Sequence, residues 1–118
     1  MNKREFKKAI DAVGASIIDE MMIAYYNVKD ADKDAIANSA STVLGAIETA
    51  KDNANVYFDK GVKAFENKGE YEKAKKAFFK ALFNKIHNEF SEQIDQAVKT
   101  FNNAIPQEVK EQNKTFAK

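Results

Sequence analysis

The chain has 118 residues, a net charge of +1, one histidine, four glycines, one proline and no cysteine. The missing thiols exclude disulfide frameworks, thiolate catalysis and Cys-based zinc sites, and nine Phe and four Tyr among 44% apolar residues exclude a disordered composition. One core's worth of chain, rich in Ala, Lys and Glu and poor in turn formers, predicts a single all-α domain over residues 1–118.

The small net charge is unevenly spread. Residues 11–59 hold three basic against nine acidic side chains, and residues 60–85 hold eight Lys against three Glu. Pairing of these segments across neighbouring helices is the simplest reading, with a partner-steering face as the alternative. At the N-terminus Lys3, Arg4, Lys7 and Lys8 resemble the basic start of a signal peptide. Asp11, Asp19 and Glu20 cut the apolar run that would have to follow, so a cytoplasmic chain without a membrane anchor is expected.

Asn2 followed by Glu5 has the spacing of a capping box and starts the first helix. Phe6, Ile10, Val13, Ile17, Met21 and Ala24 then recur at three and four residues, and the helix is expected to end near Asn27. Its last part, IIDEMMIAYYNV, is apolar nearly all round. Glu20 falls within the apolar stripe by spacing, so a salt bridge or a tyrosine hydrogen bond is expected there, with a tuned acid as the sharper alternative. Asp30, Asp32 and Asp34 mimic the opening of an EF-hand loop, but Ala35 and Ser41 replace its essential Gly and Glu. The three carboxylates therefore read as caps of the next helix.

A second ladder runs Ile36, Ala40, Val43, Ile47, Ala50, Ala54, Phe58, Gly61 and Phe65. Its phase survives KDNAN at 51–55 and predicts one helix from about Asp32 to Asn67. Gly69 then takes the position that ends a helix. The third ladder holds phase from Tyr71 through Phe78, Leu82, Ile86, Phe90, Ile94, Ala97 and Phe101 to Ile105, and Pro106 stops it. A short helix is expected after Pro106.

The stretch GEYEKAKKAFFKAL at 69–82 separates into faces. Gly69, Tyr71, Ala74, Phe78, Ala81 and Leu82 stand where a tetratricopeptide repeat places its turn, aromatic and small residues, and Phe58 and Phe65 match two upstream aromatics. The stretch is thus similar to the second half of such a repeat, with Gly61-Val62 in place of the Leu-Gly pair and Ile86 in place of the closing proline. The resemblance covers about one repeat and implies a helical hairpin with a peptide-binding groove. Lys73, Lys76 and Lys80 form a row on the other side, and Lys75 sits near the apolar edge where it can snorkel. Such a row could meet phosphates, although Arg4 is the single arginine. Phe79, Phe83, Ile86 and Phe90 make a second apolar row. His87 falls off the main row towards the lysines, and Asn84 breaks the Glu-x-x-His spacing of di-iron bundles.

The expected architecture is an antiparallel bundle of three long helices, which weak points near 51–55 and 88–91 could divide into four or five. No nucleophile–base pair or phosphate loop accompanies these helices, so no enzyme activity, cofactor or metal is expected. The expected function is protein binding, self-association first, through an interface drawn from Met22, Tyr26, Phe79, Phe83, Ile86 and Phe90. Nucleic acid on Lys73, Lys76 and Lys80 is the alternative, and no membrane partner is expected.

Overall fold

A computed structural model describes residues 2–106. Helix α1 spans Lys3–Asn27 and opens with the capping box: Asn2 Oδ1 accepts from the Glu5 amide at 2.8 Å, and Glu5 Oε2 accepts from the Asn2 amide at 3.4 Å. Helix α2 spans Lys33–Ala54 and is capped by Asp32, whose carboxylate accepts from the Ala35 amide at 3.1 Å. The turn between them places Asp30 at φ 65°, a conformation that Asp tolerates better than most residues. Helix α3 spans Lys68–Ala104, 37 residues and about 55 Å long, and Pro106 follows two residues after its end.

The continuous second helix expected to Asn67 is not formed. Helix α2 stops at Ala54, where the Asn55 amide turns back to the Asp52 carbonyl. Residues 55–67 are irregular apart from one 3₁₀ turn, Val62–Ala64. Asp52, Asn53 and Asn55 are weak helix formers whose side chains compete for backbone groups, and here they outweigh the phase of the apolar ladder. Gly69 consequently ends nothing. It lies in the first turn of α3, which Asn67 caps by accepting from the Glu70 amide at 2.8 Å. Residues 55–67, which carry the matching Phe58 and Phe65, form no α-helix, so the first helix of the hairpin implied by the tetratricopeptide resemblance is absent. The weak point at 88–91 is unbroken helix. The short helix expected after Pro106 lies outside the described residues.

Helix α2 packs along both of its neighbours. Its buried residues are mostly small: Ser39, Ala40, Ala46, Ala50 and Ala54, with Ile36 and Val43 as the larger members. Small side chains let helix backbones approach, so α1 and α3 each sit close against it. Gly14 shows how close. A Cβ there would lie 2.5 Å from Ile47 Cγ1 and nearer still to Cδ1. Among the described residues the one buried hydroxyl, Ser39, is satisfied within its own helix, its Oγ donating to the Ala35 carbonyl at 2.9 Å.

The helix ends are tied across the bundle. The Asp32 amide donates to the Ala104 carbonyl at 2.9 Å, fixing the α1–α2 turn to the end of α3. Lys7 bonds to Asn55, Lys51 pairs with Asp11 at 3.1 Å, and Lys3 lies over the Tyr57 ring at 4.5 Å. These surface ties contribute little individually. The core from Phe6, Ile10 and Met21 through α2 to Ile86, Phe90 and Ile94 carries the stability.

Helix α3 is much longer than the 25 residues of α1 and the 22 of α2. The irregular segment covers its surplus N-terminal turns. Phe58 meets Tyr71 at 5.9 Å and Phe78 at 5.4 Å, and Phe65 meets Tyr71 at 5.8 Å. Both ladder residues therefore reach α3 from a loop rather than from a helix. The molecule is elongated as a result, 64 × 29 × 18 Å.

Two expectations follow. Gly45→Ala, open on the outer side of α2, should raise stability by about 1 kcal/mol from helix propensity, whereas Gly14→Ala should lower it. At Gly14 overpacking against a stiff β-branched side chain costs about 1–3 kcal/mol and outweighs the same propensity gain, so thermal melts should move in opposite directions. Phe58→Ala should speed hydrogen exchange over residues 68–80 while leaving protection around Phe90 unchanged.

Candidate functional site

Because α1 and α3 each close on the thin helix α2, the large side chains they carry are left to meet one another above it. Phe6 of α1 and Phe83 of α3 stack at 4.6 Å and 7°, and Phe79 leans on Phe83 at 5.8 Å. The backbones stay apart there, and the space between them is an open groove of about 1360 Å³. Its floor is Phe6, Ile10, Phe83, Phe90 and Ile94, with Val13 and Phe79 on its walls. Phe6, Ile10, Phe90 and Ile94 are buried, Phe79 and Phe83 half-buried, and Val13 is 51% exposed.

The rim is cationic. Lys3 stands on the α1 side, and Lys73, Lys75, Lys76 and Lys80 stand on α3, against the two carboxylates of Glu72 and Asp95. Lys73, Lys76 and Lys80 are exposed, as their row predicts, and they border the second apolar row. Lys75 is half-buried with its ammonium 5.8 Å from the Tyr71 ring. His87 is exposed on the same rim, in helical line with Lys76, Phe83 and Phe90. Along α3 the groove runs from Glu72 to Asp95, about 35 Å, and along α1 from Asn2 to Val13, about 17 Å.

The six residues expected at an interface divide three ways. Phe79 and Phe83 line the groove. Ile86 and Phe90 are 3% and 4% exposed and belong to the chain's own core, Phe90 still contributing to the groove floor. Met22 is half-buried against the core, and Tyr26 is 76% exposed at the far end of α1. Glu20 corrects the sequence reading: it is exposed, one step outside the stripe that buries Met21 and Ala24. The α1 contribution to the groove, Phe6, Ile10 and Val13, was not anticipated as a site. Those residues read as core by spacing, and two of them are core as well as floor.

Chemically the groove offers apolar contact under a ring of ammonium groups. Among the described residues no group of three or more His, Asp or Glu side chains could hold a metal ion, and no helix is long and apolar enough to cross a membrane. No protein-family model matches the chain, and neither a curated protein nor a solved structure matches it.

Floor and wall should separate on mutation. Phe6→Ala removes a buried ring and its stacking partner, and is expected to cost about 3 kcal/mol in chemical denaturation. Phe79→Ala, half-exposed on the wall, should cost about 1 kcal/mol and leave the fold intact.

Proposed function

We propose that this chain is a non-catalytic, cytoplasmic protein-binding module, an antiparallel three-helix bundle whose groove between α1 and α3 takes a helix from a partner. The observation that carries the reading is the groove itself: apolar along its floor, cationic at its rim, about 35 Å long on its α3 side and about 17 Å on its α1 side. A volume of about 1360 Å³ exceeds the roughly 300–1,000 Å³ typical of small-molecule pockets. An amphipathic helix is about 10 Å across and lays an apolar stripe into such a trough, completing a four-helix arrangement. The antiparallel order is supported by the ties between helix ends, Lys7 to Asn55 and Asp32 to Ala104.

Charge specifies the partner's character. Five lysines against two carboxylates favour a helix with acidic flanks. Nucleic acid is less well served, because phosphates on Lys73, Lys76 and Lys80 would leave Val13 and Phe79 uncovered beside them.

Selection from a displayed library of 18-residue amphipathic helices tests the reading. Binders are expected to be enriched in Asp and Glu, to weaken at least tenfold against Phe79→Asp and to weaken further with added salt. Binders indifferent to Phe79→Asp, or no binders together with salt-steep binding of single-stranded RNA, would count against it.

A further inference from the structure

We infer that the groove is filled by a second copy of this chain, through the C-terminal half of its α1. The inference rests on the groove being a helix-binding surface and names the helix. From Ala9 to Asn27, α1 carries no basic residue. On its outer side Ser16, Asp19, Glu20, Ile23 and Tyr26 recur at three and four residues, and all five are exposed. Ile23 is 63% and Tyr26 76% exposed, two large side chains within one turn of each other and flanked by two carboxylates. This is the complement of the groove: apolar anchors with negative flanks, against an apolar floor with a positive rim.

Length and position agree. Residues 16–26 span about 15 Å and fit within the 35 Å that the groove extends along α3. The first carboxylate of the segment, Asp19, stands six residues beyond Val13, the last α1 residue on the groove. Two copies related by a twofold axis, with their α1 helices running in opposite directions, can therefore each fill the other's groove. The pairing is isologous and closes at a dimer. Val13 of one copy then meets Phe83 of the other, Asp19 and Glu20 face Lys76 and Lys80, and Ile23 and Tyr26 lie along the first turns of α3, beside Lys75 and Tyr71. The chain's own residues 107–118 are a poorer occupant, since three lysines and two glutamates give them the sign of the groove.

Sedimentation equilibrium on the full chain tests the inference. The wild type is expected to reach the mass of two 13.3 kDa chains at micromolar concentration and to dissociate as salt is raised. Asp19→Lys/Glu20→Lys and Lys76→Glu/Lys80→Glu should each weaken association at least tenfold. An equimolar mixture of the two variants should recover the dimer, because each then presents the sign that the other lacks. A wild type that stays monomeric throughout overturns the inference, as does a dimer insensitive to both reversals or a mixture that fails to associate. A monomer whose groove still selects acidic helices would leave the helix-binding reading standing and remove only the second copy.

Discussion

The structure depends on the thinness of α2. Ser39, Ala40, Ala46, Ala50 and Ala54 give that helix small side chains where its neighbours press on it, and Gly14 lets α1 come closer still at Ile47. Close approach to α2 sets where α1 and α3 lie. It leaves their bulk, Phe6, Ile10, Phe83 and Phe90, to meet across a gap that those side chains cover from below and do not close above. A central helix with larger side chains would hold its neighbours further out, and the aromatic floor would lose its stacking contacts.

The surplus length of α3 follows from the same arrangement. Its C-terminal part matches the short helices beside it, and its first turns run past them, where the loop rings Phe58 and Phe65 take over as packing partners. Successive ring contacts continue from there through Phe78 and Phe79 to Phe83 and Phe6. The groove wall is thus continuous with a satellite cluster that has few other anchors. That end of the molecule is the one expected to open first, since its buried surface is small and its cover is irregular chain. A partner lying along Lys76, Phe79 and Phe83 would rigidify it.

Within the site, single residues were legible to different degrees. The lysine row and the second aromatic row are visible at 73–90 because spacing along one helix places them side by side. Their meeting with Phe6, Ile10 and Val13 is not visible, since it depends on how far apart two helices stand. Ile86 and Phe90 illustrate the limit. They share a row with Phe79 and Phe83, yet α2 reaches the lower half of that row and covers it, while the upper half projects beyond. Glu20 shows a smaller error of the same kind. A position one turn from two apolar residues sits on the edge of a stripe, and a rotation of about 40° separates an edge from a core.

By itself the sequence determined the class of fold, the capping box at Asn2, the ends of α1 and α3 and the faces of residues 69–82, while the continuity of α3 through 88–91 was left open. These are local matters, decided by helix periodicity, by side chains that bond the nearest free amides, and by a proline that cannot continue a helix. The weak point at 51–55 was legible too, but tertiary structure decided the irregular path of 55–67 and the existence of the groove. An apolar ladder records that Phe58 and Phe65 must be buried, but not whether a helix or a loop delivers them. That choice lies with the far partner, here the exposed first turns of a helix longer than its neighbours.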